Sequence, residues 1–296
     1  MATRRLIVTH HAPDLDAIGG VWILKKFDAQ HFGTAKVAFT DPGSKLSDEQ
    51  LAEYGVTQES ATYVDTGGGE FDHHQPGMND RSVCATTLVY DHICEIHPEF
   101  RDSEPLKAVV DFITDIDHFG EVYWPEAANT RYFFMIHELI RGLEFQELHN
   151  DESQLHFGMQ CLDSAYAVHN EYYTAQAILA ERAHTFELPF GNCIGIETHN
   201  DDTIKVAQRQ GTMLVVRKDP TVGIIRIKVR PDCPIDLREL ADRIALIDTE
   251  GSWFYHPSGK MLLNGSSKSS KQKPSPLTLE QVISLIKEIY GNQEAA

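Results

Sequence analysis

The sequence is short of positive charge and has no long apolar run. Its 26 lysines and arginines face 44 aspartates and glutamates, a net charge of −18. That balance works against diffuse binding to long duplex nucleic acid, which rests on many basic contacts to phosphates. A phosphorylated small molecule or a short oligonucleotide is still admitted, because a few local cations and metals can hold one. No stretch approaches the roughly 18 consecutive apolar residues a membrane helix needs, so no membrane partner is expected. Cysteines are few and scattered: Cys84, Cys94, Cys161, Cys193 and Cys233 form no C-x-x-C pair. The spacing argues against a zinc ribbon, and the odd number against a disulfide framework. Residues 1–9 hold two arginines beside a short apolar stretch, too little for a signal peptide, and a cytoplasmic location is expected.

What is present is a packable chain. Hydrophobic residues make up 42% and the mean hydropathy is −0.31, which excludes wholesale disorder. At 296 residues two domains are expected rather than one. Histidine is abundant, with 15 residues, and several stand beside aspartate in the first 120 positions.

The fold class expected is α/β. A parallel-sheet domain over residues 1–130 leads through a helical connector, 131–186, to a smaller α+β domain over 187–296. Leu6-Ile7-Val8-Thr9 is the apolar run of a buried parallel strand. Ala35–Phe39 and Ala61–Val64 are the next strands, and Ile18, Val21, Trp22, Leu24 and Phe27 trace a helix stripe between the first two. Helices are expected from Ser82 to Ile96 and from Pro105 to Thr114. Beyond Glu187, Cys193–Glu197, Thr203–Ala207, Thr212–Val216, Thr221–Val229 and Lys260–Leu263 read as strands, with helices over Asp236–Ile244 and Thr278–Tyr290.

The chemistry lies at the strand ends. His10-x-x-x-Asp14-x-Asp16 follows the first strand, Asp65 follows the third, and Asp72-His73-His74 comes just after it. Asp115 or Asp117 follows a further apolar stretch. The carboxyl ends of parallel strands share one edge, where ligands bind. Carboxylates gathered there repel one another unless a cation joins them. Two divalent metals meet that need, and mixed carboxylate and imidazole ligation suits Mn²⁺ first, with Fe²⁺ and Co²⁺ beside it and Mg²⁺ less well served by histidine. Such a pair, roughly 3.5–4 Å apart, can clamp a phosphoryl group and activate water. Each residue alone has a plainer reading, since an aspartate after a strand is most often a cap or a turn former. Gly67–Gly69 read as a turn or as a phosphate cradle, and Trp253–Tyr255 as core aromatics or as a base-stacking surface.

His10-x-x-x-Asp14-x-Asp16-Ala17, Val64-Asp65 and Asp72-His73-His74 resemble, in order and spacing, the DHH phosphoesterase superfamily. Ile225–Arg230 followed by Asp236-Leu237-x-x-Leu240-Ala241 is similar to the DHHA1 substrate domain, without its usual Gly-rich turn ending in histidine. Gly251–His256 and Asn264–Lys268 stand in that turn's place. The resemblance implies that His10 and Asp14 bind one metal, Asp16 and His73 the other, and that Asp65 bridges both. Asp115, with Asp117 as the alternative, completes the set. Asp65 and His74 are the expected catalytic residues, with His74 beside the scissile phosphate. Arg230, His256, Gly265, Ser266 and Lys268 are the expected substrate residues, although Asp232 or Asp236 is near enough in sequence to pair with Arg230. The expected activity is hydrolysis of a phosphodiester in a nucleotide or short oligonucleotide. Pyrophosphate or polyphosphate hydrolysis and a non-catalytic sensor are the alternatives, and a homodimer is admitted.

Overall fold

Four apolar or β-branched side chains in succession, Leu6–Thr9, form a strand only where both faces are covered, and the first strand meets that condition. In the computed structural model, which describes residues 5–78, 80–265 and 273–292, β1 (Leu6–His10) runs along the middle of a three-stranded sheet. Ile7 packs into one core and Leu6 and Val8 into another, as the two-residue period of a strand requires. The chain continues through α1 (Leu15–Phe27), the short α2 (Ala29–Phe32), β2 (Lys36–Thr40), α3 (Asp48–Tyr54) and β3 (Ala61–Tyr63). Strands β2 and β3 flank β1, both parallel to it, with Leu6 opposite Lys36 and Ala61. All three carboxyl ends therefore lie on one edge, as the sequence pattern suggests.

Helices α4 (Ala85–Ile96) and α5 (Glu104–Asp117) pack with α1 to cover one face. α5 runs three residues past Thr114, where the sequence reading ended it, and carries both Asp115 and Asp117 in its last turn. Helices α6 (Ile136–Gln146) and α7 (Asp151–Arg182) follow. The chain divides into two units, Met1–His169 and Asn170–Ala296, so the division falls inside α7.

Two adjacent glycines let α1 approach its neighbours. A Cβ on Gly19 would lie 2.4 Å from Thr86 Oγ1 and 2.8 Å from Ile113 Cδ1, and one on Gly20 would lie 2.5 Å from Val64 Cγ1. Thr86 cannot turn away, because it is fully buried and its hydroxyl donates to the Asp16 carbonyl at 2.9 Å. Gly19→Ala should gain about 1 kcal/mol of helix propensity and lose about 1–3 kcal/mol to overpacking. The expected result of chemical denaturation is a lower midpoint. A raised midpoint would mean that helix propensity, not close approach, governs this position.

The second unit is built on a six-stranded mixed sheet. Its elements are β4 (His184–Leu188), β5 (Gly191–Glu197), α8 (Asp202–Arg209), β6 (Leu214–Lys218), β7 (Ile225–Val229), α9 (Arg238–Ile247), β8 (Trp253–Tyr255), β9 (Met261–Asn264) and α10 (Leu279–Tyr290). The strand order is β4-β5-β6-β7-β9-β8. Thr203–Ala207, expected as a strand, is helix α8. The reason is topological: β5 and β6 are parallel neighbours, and a parallel pair needs a crossover that a strand cannot supply. Asn200 Oδ1 accepts from Asp202 N at 2.9 Å as the helix begins, and Ile204, Val206 and Ala207 are buried. Thr278 caps α10 with a reciprocal capping box to Gln281, in keeping with the start read from the sequence.

Candidate metal centre

Asp14 begins the site. Its Oδ1 accepts from Asp16 N and Ala17 N at 3.0 Å each, which caps α1 and leaves Oδ2 outside the cap. Two residues on, Asp16 is turned inward and buried. Its two carboxylate oxygens accept from Ala85 N and Thr86 N at 2.7 Å, so it caps α4 from a distant part of the chain. Burial and the charges of Asp65, Asp117 and Asp14 raise its pKa above the ordinary carboxylate range.

Asp65 lies directly beyond β3 and Val64, with φ +56, a left-handed conformation that an aspartate tolerates better than most residues. Its amide donates to the Phe71 carbonyl at 2.8 Å. Its Oδ2 is 3.2 Å from His10 Nε2, and its Oδ1 is 3.5 Å from His73 Nε2 and 3.3 Å from His74 Nδ1. Burial opposes ionisation of this carboxyl, but the three imidazoles outweigh it and hold the pKa below the usual range. His10 is the complement. Burial disfavours its cation, yet the hydrogen bond to Asp65 and the charge of Asp14 lift it to about 9.

Gly67 and Gly68 both adopt positive φ, +76 and +62, and the Gly68 amide donates to Asp72 Oδ2 at 2.7 Å. The glycines form a turn whose middle amide is already taken. Asp72 Oδ1 in turn accepts from His74 N at 3.0 Å and lies 3.2 Å from His74 Nδ1. This aspartate therefore orients His74.

Three carboxylate–imidazole groups result, each with its ligand atoms within 4.8 Å of one another: His10, Asp14 and Asp65; Asp65, His73 and His74; and Asp16, His73 and Asp117. Asp65 and His73 each belong to two of them. Asp65 Oδ1, His73 Nε2 and Asp117 Oδ2 are buried with no hydrogen-bond partner, a costly state unless something else satisfies them. Buried oxygens and ring nitrogens pointing at one another fit divalent cations, and the donor set is of the mixed kind that Mn²⁺, Fe²⁺ or Co²⁺ accept. The groups therefore point to divalent-metal binding.

The placement of the fourth-motif residue differs from the first choice. Asp117, not Asp115, stands with Asp16 and His73, its Oδ2 3.7 Å from His73 Nε2. Asp115 is exposed, and its Oδ2 accepts from Trp124 Nε1 at 2.8 Å. His74 also comes closer than expected, as a member of the group around Asp65. His11 is turned aside, with Nδ1 2.6 Å from Asp151 Oδ2, while Asp151 Oδ1 accepts from Ala12 N at 2.7 Å. Asp151 thus pins the loop between His10 and Asp14, in which Ala12 has φ +49. Nothing in the sequence marked it, since an aspartate opening a helix reads as ordinary first-turn chemistry.

The expected substrate residues lie in the second unit. Arg230 directs Nε and Nη2 to the Asp232 carboxylate, at 2.6 and 2.9 Å. His256 Nδ1 is 2.8 Å from Ser258 Oγ. Gly265 has φ +84, and a Cβ there would lie 2.6 Å from Ile224 Cγ2. Ser266 and Lys268 lie outside the described residues. Of the aromatic trio, Trp253 donates to Asp248 at 2.7 Å and Tyr255 to Asp236 at 2.7 Å. All five cysteines are free, and no helix among the described residues is long and apolar enough to cross a membrane.

No family model and no curated protein matches the chain. Among solved structures, it is similar to a DHH-domain protein described as a member of a family of ribosomal proteins. The identity is 14%, the TM-score 0.34, and the match covers 98% of this chain and 88% of that one. It is also similar to RecJ from Thermus thermophilus, solved in complex with Mg²⁺, at 13% identity and a TM-score of 0.32. That match covers 96% of this chain, which spans about half (49%) of the RecJ chain.

Proposed function

We propose that the chain is a metal-dependent phosphoesterase that hydrolyses a phosphodiester in a nucleotide or short oligonucleotide. The observation that carries this reading is the meeting of three overlapping carboxylate–imidazole groups beside the carboxyl edge of a parallel sheet, with three buried polar atoms left unpartnered. His10, Asp14, Asp16, Asp65, His73 and Asp117 would hold two divalent cations, Mn²⁺ before Mg²⁺, with Asp65 shared. When bound, such cations supply Lewis acidity to a phosphoryl oxygen and acidify the water that attacks phosphorus.

The chain's own groups do the positioning. Asp16 is fixed by two amides of α4, Asp65 by its backbone conformation, and the loop of His10 by Asp151. His74 directs Nδ1 toward Asp65 and Asp72, which leaves Nε2 for a substrate oxygen and the charge that builds on it. A cavity of about 590 Å³ opens beside Asp14, Asp16, His73, His74 and Asp117, within the range of about 300–1,000 Å³ of small-molecule sites. A cavity of that size has room for a nucleotide unit.

The test is a hydrolysis screen with Mn²⁺ over dinucleotides, cyclic dinucleotides, short RNA and DNA, pyrophosphate and phosphomonoesters. Turnover of a nucleotide phosphodiester is the expected result. Turnover of pyrophosphate alone would replace the substrate class, and silence with two metals bound would replace the enzyme with a sensor.

A further inference from the structure

The cavity beside the metal centre has a second wall that no metal role explains. It is made by α6 and by the segment after α5, and carries Phe119, Glu121, His137, Glu138 and Arg141. Glu121 Oε2 and His137 Nδ1 are buried there with no hydrogen-bond partner, a state that a ligand would relieve. Burial lowers the His137 pKa, so the ring is neutral near pH 7. Phe119 is 71% exposed and has φ +57, a left-handed conformation that a bulky residue adopts only under constraint. Its apolar ring is thus displayed at the cavity instead of being buried in the core. Arg141 gives Nε and Nη2 to Glu138 Oε2 at 3.0 and 2.6 Å, which leaves Nη1 without a hydrogen bond among the described residues. Glu121, Glu138 and Glu144 line the cavity and oppose an anion, and Arg141 is the one lysine or arginine among the described lining residues that can attract one.

We propose that this wall holds a nucleoside monophosphate unit of the substrate, a reading that rests on the phosphoesterase function above. Arg141 takes a phosphate that is not the one cleaved. Glu121 accepts from a sugar hydroxyl or a base amine, and Phe119 carries the base. A guanidinium still pairs with phosphate while part of its fork is occupied, because it has five N–H donors. An aromatic face stacks any base. Recognition then sits in the same unit as the metal ligands, apart from Arg230.

Binding decides it without turnover. Calorimetry with the full chain and Mg²⁺ compares 5′-AMP with ribose 5-phosphate, which has the phosphate but no base. Wild type should bind 5′-AMP more tightly. Arg141→Ala should weaken both ligands about ten- to a hundredfold, the worth of a charged hydrogen bond, and Arg141→Lys should recover only part. Phe119→Ala should weaken 5′-AMP about five- to a hundredfold and leave ribose 5-phosphate unchanged. Wild-type binding of neither ligand, Arg141→Ala at wild-type affinity, or equal losses on both ligands for Phe119→Ala would each overturn the proposal. The two readings fail separately. Hydrolysis with 5′-AMP binding indifferent to Arg141 and Phe119 removes this wall alone. The expected binding pattern in a protein that hydrolyses nothing removes the reaction alone.

Discussion

Asp65→Asn should abolish metal-dependent turnover while the protein still folds. The substitution keeps the size of the side chain, and asparagine is among the few residues that accept the left-handed backbone seen at this position, φ +56. What it removes is the charge shared by two of the three ligand groups. An amide has one oxygen where the carboxylate offers two, and it cannot bind on both sides. Loss of a residue that merely supports a metal ligand costs about 10–100-fold, so losing the shared ligand should cost more than 100-fold. In the metal-free protein two effects oppose each other. The neighbouring Asp14 and Asp16 lose a repelling charge, while His10, His73 and His74 lose the carboxylate that raises their pKa values. The expected metal-free melting temperature is therefore close to wild type. The difference should emerge on adding Mn²⁺. A ligand at a hundred times its dissociation constant stabilises by about 2.7 kcal/mol, which for a domain of this size is about 5–11 °C. Wild type should show that rise and Asp65→Asn should not. Two retained metals with near-normal turnover would place the shared ligand elsewhere.

The parts of this molecule that the sequence reveals are those whose chemistry is local. The run Leu6–Thr9 reads as a doubly covered strand because both of its faces are apolar, and both are buried. His10, Asp14, Asp16, Asp65 and His73 are marked by residue type and by their place after strands, and they do converge. What escapes the sequence depends on distant partners. Asp151 meets His11 and Ala12 across about 140 positions, and no local pattern announces such a contact. Helix α8 misreads as a strand because its β-branched residues carry strand propensity, whereas its helical state is imposed by the crossover between β5 and β6. Arg230 stands out by its charge after an apolar strand, yet its partner Asp232 is only two residues away and accepts from Nε and Nη2. Arg141 gave no comparable signal, since on an exposed helix an arginine three residues after a glutamate looks like a surface ion pair.

Asp117→Ala should remove one of two bound metals, and Asp115→Ala should remove neither. The sequence leaves these two residues open, because both follow the same apolar stretch, and the first choice falls on Asp115 because Phe119 stands four residues after it, the offset the resemblance implies. The helix separates them. Both lie in the last turn of α5, and positions i and i+2 point to nearly opposite sides of a helix. One can face the centre only if the other faces away. Asp117 faces in, with an unpartnered buried Oδ2 and His73 Nε2 at 3.7 Å. Asp115 faces out and is held by Trp124 Nε1 at 2.8 Å. Its loss removes one exposed hydrogen bond, about 1 kcal/mol, with turnover within about threefold of wild type. Loss of Asp117 takes a carboxylate from the group with Asp16 and His73 and should lower turnover by more than 100-fold, beyond the range for an indirect support. Metal analysis of the two purified variants beside wild type gives the stoichiometry directly, and rates on the same substrate give the second readout. If Asp115→Ala loses the metal and Asp117→Ala keeps it, the last turn of α5 is rotated from the arrangement described. The unpartnered oxygen of Asp117 would then need another explanation.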